Sequence, residues 1–205
     1  MIVFLTTSEQ SFSTTLSHFS HERGSQALQS AVPATLTLIK KSINDDERRI
    51  EAYYKLTTES VIQPWFFAGE KLNVLHSTFT ILPSLLQSLG IYSVRFLKAI
   101  IPQIKRTLVI ASPPTQHSIP IQLASLNSLI ILMDVCEPRI KPRRIQILDC
   151  LVETAINTPN NNQNKQFIQS LQECFKKLTS ICPEVNIEFD KLQNLSDINI
   201  GILRL

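Results

Sequence analysis

Residues 72–108 restrict the folding of this chain more than any other stretch. Leu72, Leu75, Phe79, Leu82, Leu86 and Leu89 recur at spacings of three and four, and Phe96, Ile100, Ile104 and Leu108 then repeat at every fourth residue. A period of about 3.6 residues places each set on one face of an α-helix and leaves the opposite face polar. Between the two sets, Leu89-Gly90 supplies a tight turn, because glycine enters left-handed backbone at little steric cost. The spacing predicts one helix over 68–89 and a second over 92–110. Each has an apolar face that must be covered, so the pair reads as one unit of a stacked helical array.

The rest of the chain extends that array. Only four glycines occur in 205 residues, and the mean hydropathy is +0.07, which disfavours both a turn-rich β-sandwich and disorder. The length accommodates about five to seven helices of average size. A first helix over 25–42 carries Leu28, Val32, Leu36 and Ile39 on one stripe, with a kink expected at Pro33. Asn44 is placed to cap a second, with Asp45, Asp46 and Glu47 at the end where the helix dipole favours acids. Gln63-Pro64-Trp65 is expected to break the chain, since the residue before a proline is pushed out of helical backbone.

Residues 121–135 are apolar nearly all round and belong at the centre. Helices over 143–156 and 165–181 follow, the second presenting Phe167, Ile168, Leu171, Phe175 and Leu178 inward. Residues 112–118 and 136–142 read as turns, and 157–165 as a linker with Asn160 to Asn164 exposed. The expected organisation is a loose Ser/Thr-rich arm over 1–24, a helical-repeat domain over 25–181, and a C-terminal tail over 182–205. In that tail, the alternation at 185–189 would suit a short strand, although a partly ordered tail is the preferred reading.

Charge and chemistry narrow the function. A net charge of +3 and a pI near 8.7, with Lys and Arg spread along the chain, call for neither nucleic acid nor a membrane surface. Cys136, Cys150, Cys174 and Cys182 lie far apart with no Cys-x-x-Cys, which predicts buried free thiols and a reducing compartment. The apolar start, Met1 to Leu5, has no basic flank and is interrupted by Thr6 and Thr7, so a secretory signal is not expected. A cytoplasmic or nuclear location follows. The most apolar window, 119–136, contains Gln122, Ser125, Asn127, Ser128 and Asp134 and reads as a buried helix instead of a membrane span. No phosphate loop, nucleophile elbow, metal-binding histidine pair or paired carboxylates appear, and the histidines are scattered. The reading is a non-enzyme without cofactor or metal.

Two features stand out as candidate partner contacts. Arg139, Lys141, Arg143 and Arg144 crowd the start of a helix, where the dipole disfavours cations. They are either a solvated turn between repeats or a surface for an acidic partner segment. Trp65, the only tryptophan, sits at a chain corner as either a packing plug or an interface anchor. Asp134 is expected to pair with Arg139 or Arg144.

The proline at 83, the leucine pair after it, the turn at Leu89-Gly90 and the Val94-Arg95 step resemble the HEAT pattern of an armadillo-type α-solenoid. Taken with Leu97-Lys98, Ile101-Pro102, Gln122-Leu123-Ala124 and Cys136-Glu137-Pro138-Arg139-Ile140, residues 65–157 are similar to the Tel-two-interacting protein two family. The resemblance implies a HEAT-like scaffold subunit of the TTT co-chaperone complex. With the heat-shock-ninety machinery, that complex matures kinases of the phosphatidylinositol-3-kinase-related class. It implies large helical-repeat partner subunits and no active site. The alternative is a helical-repeat adaptor that holds a linear peptide in a concave groove, for which the sequence shows no ladder of polar residues.

Overall fold

The computed structural model describes residues 22–195 and 200–204, and no strand occurs among them. The helices are α1 (Glu22–Ser42), α2 (Asp46–Thr57), α3 (Gln63–Ala68), α4 (Leu72–Leu89), α5 (Leu97–Ile110), α6 (Ile119–Val135), the single turn α7 (Glu137–Ile140), α8 (Arg144–Ile156), α9 (Lys165–Ile181) and α10 (Val185–Leu195). The chain divides into two compact units, one ending at Ile81 and the other beginning at Leu82, so the division falls inside α4.

In the first unit, α1 begins at Glu22, three residues before the expected start. The remainder of the predicted arm, residues 1–21, lies outside the described residues. Val32 and Leu36 of its stripe are buried, and Pro33 sits inside the helix. The cap of α2 is Asp45 instead of Asn44: its carboxylate accepts from the Arg48 backbone N–H at 2.8 Å. The predicted break at Gln63-Pro64-Trp65 does not occur. After Thr57 the helix widens into a π-turn, Thr58–Ile62, and runs straight into α3 with Pro64 in its first turn. The Gln63 N–H reaches back five residues to the Thr58 carbonyl. One extra residue per turn shifts the hydrogen-bond register where the proline ring would otherwise strike the preceding turn. Thr57 and Ser60 hydroxyls donate to the Tyr53 and Leu56 carbonyls at 2.8 and 2.5 Å, so this stretch keeps its polar groups paired. The chain breaks instead at Gly69, whose φ of 55° suits glycine.

In the second unit, Leu85 and Leu86 are fully buried and Leu89 nearly so, as the leucine period requires. Gly90, at φ 55°, makes the turn. The helix expected from residue 92 begins five residues later, at Leu97, because Gly90–Phe96 winds as a 3-10 segment. Within that segment the buried Ser93 hydroxyl donates to the Leu86 carbonyl at 3.2 Å, which ties the turn to the end of α4. The remaining helices pack in two rows: α6 against α9, and α8 against both α5 and α10. Contacts of α5 with α6 and of α8 with α9 join the rows.

The helix α6 is buried as its composition predicts, with Leu126, Leu129, Leu132 and Met133 in the core. Ser125 and Ser128 donate to carbonyls one turn back, and Gln122 Nε2 donates to the Ala111 carbonyl at 3.2 Å, while the Gln122 Oε1 is buried without a hydrogen-bond partner. Asp134 pairs with Lys177 of α9, not with Arg139 or Arg144. The four cysteines are buried free thiols, and burial pushes Cys136 up to about 11 and Cys150 to about 12, so both stay protonated at neutral pH.

Two further expectations need correction. Asn160 and Asn161 are exposed, but Asn164 is buried, its amide donating to the Pro159 carbonyl at 2.9 Å as it leads into α9. Residues 185–195 form α10 instead of a strand or tail. Val185 and Phe189, four apart, turn inward, while Ile187 points to solvent at 61% exposure. The Phe175 and Phe189 rings lie 4.8 Å apart, and Arg204 stacks over Phe189 at 4.6 Å. By length and composition alone the helical run Leu72–Ile110 is long and apolar enough to cross a membrane, yet more than half of its apolar window is buried in the protein, and core helices share that composition.

Candidate functional site

The basic turn is built by anchoring its apolar residues and leaving its cations outside. Cys136 closes α6 and is fully buried, and so is Ile140 at the end of α7. The Arg139 N–H donates to the Cys136 carbonyl at 2.7 Å, and between α6 and the run Glu137–Ile156 the helix axis turns by 106°. With Ile140 held in, Arg139 and Lys141 on either side of it face solvent.

The four cations then separate into different environments. Arg144 is the most engaged: its Nη2 and Nε donate to Glu188 Oε1 at 2.9 and 3.2 Å, and Nη1 donates to the Lys141 carbonyl at 3.2 Å. Glu184 lies 3.8 Å from Arg144 Nε and 3.5 Å from Lys141 Nζ. Its carboxyl is held below the usual range, first by its own backbone N–H, with Lys141 and Arg144 adding to the effect. Arg143 reaches Gln146 Oε1 at 3.3 Å, and Arg139 makes no ion pair among the described residues. Glu188 keeps its second oxygen, Oε2, buried without a hydrogen-bond partner. Sequence spacing brings the cations together; α10, which carries Glu188 and is preceded by Glu184, is the part that sequence reasoning missed.

Trp65 is only 6% exposed. Its indole N–H donates to Thr78 Oγ1 at 2.8 Å and its ring lies 5.2 Å from Phe79, so its contacts run inward to α4. The next two residues do the opposite: Phe66 and Phe67 are 78% and 68% exposed. Placing Trp65 inward on a short helix forces its neighbours, each about 100° further round, toward solvent. Sequence reasoning singled out Trp65 and missed the Phe66-Phe67 pair that follows it.

A groove of about 670 Å³ follows α9, with Gln166, Gln169, Glu173, Lys176 and Thr179 at helical spacing along it and Leu203 and Arg204 closing one side. Gln172 Nε2 donates to the Ile202 carbonyl at 2.8 Å and holds that side in place. Among the described residues no group of three or more His, Cys, Asp or Glu is arranged to hold a metal ion.

The sequence model of the Tti2 family matches residues 9–115, more than half of the 205. The chain belongs to the Tti2 family. No curated protein and no solved structure matches it individually. Trp65, Phe66 and Phe67 lie inside the stretch that carries Tti2-family membership, as do the Leu82-Pro83, Leu89-Gly90 and Ile101-Pro102 pieces. The basic turn and the α9 groove lie beyond it.

Proposed function

We propose that this chain is a non-enzymatic scaffold subunit of the TTT co-chaperone complex, working with the heat-shock-ninety machinery in the maturation and stability of phosphatidylinositol-3-kinase-related kinases. The observation that carries the reading is the Tti2-family match over residues 9–115. The two-row stacking of α5, α6, α8, α9 and α10 supports a HEAT-like solenoid, in which equivalent helices of successive pairs lie side by side. The partners are the larger helical-repeat subunits of the complex, and the location is cytoplasmic or nuclear. Phe66 and Phe67 lie within the family-matched residues and are the apolar contact such a subunit offers its neighbour.

Affinity purification of the full chain from its native cell, followed by mass spectrometry, tests the reading. Recovery of the other two TTT subunits in stoichiometric amounts supports it, and their absence removes it. A second reading, a peptide-binding adaptor, is favoured by the polar groove along α9. It requires that replacing Gln166 and Gln169 with alanine abolish partner recovery while leaving the thermal melt unchanged.

A further inference from the structure

We propose that the basic turn after α6 docks an acidic, extended segment of a partner protein, and that Glu184, just before α10, is the internal acid which this segment displaces. The partner's identity rests on the scaffold reading above; the chemistry of the site does not.

The fold leaves part of the turn's positive charge uncompensated. Arg139, Lys141 and Arg143 precede the N-terminus of α8, where the helix dipole is positive and acids would be favoured. Arg139 is exposed with no ion pair among the described residues, and the Lys141 side chain is 70% exposed. The contact of Lys141 with Glu184, at 3.5 Å between an exposed lysine and a partly exposed carboxylate, belongs to the class of surface pairs that contribute little and exchange readily. Arg144 differs in being a positioning residue: its bonds to Glu188 and to the Lys141 carbonyl set the course of the turn.

The same surface selects the kind of anion. Glu137 and Glu184 border the cations, so a polyanion of uniform charge, such as duplex nucleic acid or an anionic membrane, would meet repulsion along with attraction. A short acidic peptide avoids this, because its carboxylates reach Arg139, Lys141 and Arg143 one at a time. Its entry at Lys141 replaces the carboxylate of Glu184 with one of its own.

The test uses the full chain and a fluorescein-labelled peptide of glutamate and serine, read by fluorescence anisotropy, with the glutamine version of the peptide as control. Arg139→Glu, Lys141→Glu and Arg143→Glu together weaken binding by about tenfold or more at low salt, and the thermal melt is unchanged. Glu184→Gln tightens binding several-fold. Both effects shrink at physiological salt, where the screening length is about 8 Å. Should the triple variant melt early, Arg139→Glu alone carries the test. Wild-type binding by the charge-reversed variant, no gain from Glu184→Gln, or equal binding of duplex DNA or phosphatidylserine vesicles overturns the proposal. Peptide binding without recovery of TTT subunits overturns the scaffold reading alone, and recovery without peptide binding overturns the site alone.

Discussion

At the scale of single residues, burial decides which positions tolerate charge. Leu86 and Leu126 are fully buried, in α4 and α6. Leu86→Asp or Leu126→Asp places an unpaired carboxylate in the interior, at a cost of several kcal/mol against a typical total of about 5–15. Either variant is expected to lose its cooperative thermal transition, as followed by circular dichroism. His76 gives a gentler signal. Burial lowers its pKa below the ordinary 6.5, so the folded state takes up its proton less readily than the unfolded chain. Its contribution is fully present above pH 6.5 and is lost as the pH falls through 6.5 toward the lowered folded value. Urea midpoints across that window should fall more steeply for the wild type than for His76→Gln.

At the scale of elements, the turn between α4 and the 3-10 segment depends on backbone more than on contacts. Gly90 has a φ of 55°, and a Cβ built there meets nothing within 4 Å. Gly90→Ala therefore incurs only the left-handed backbone penalty of about 1–2 kcal/mol, and the thermal midpoint should drop by a few degrees with the helix content unchanged. Much of this element-level structure was legible. The leucine period marked α4 and the run of apolar residues marked α6, because helical faces repeat locally. What was not legible had a tertiary cause. The Pro64 break is bridged by a π-turn in which hydroxyls and a shifted register keep the backbone paired, and Trp65 just beyond it is tied to Thr78 of α4. Residues 185–189 alternate like a strand, yet Phe175 and Arg204 meet Phe189 in a helix. Alternation over five residues fits both a strand and a helix with two inward positions, so local pattern alone left the choice open.

At the scale of the whole molecule, the exposed aromatic pair separates assembly from folding. Phe66→Ser with Phe67→Ser removes apolar surface that is already in water, so the melt should shift by no more than about 0.5 kcal/mol in stability. Recovery of co-purifying subunits from the native cell should fall sharply; unchanged recovery would take Phe66 and Phe67 out of the partner surface. By itself the sequence determined the helical class, the buried leucine faces, the buried thiols and the basic turn, because periodicity, composition and charge are properties of neighbouring residues. Only the tertiary structure decided that Trp65 points in while Phe66 and Phe67 point out, that Asp134 belongs to Lys177, and that Glu184 and Glu188 stand against the basic turn. The physical reason is distance along the chain: Arg144 and Glu188 are 44 residues apart, and only the packing of α10 on α8 brings their charges within 2.9 Å.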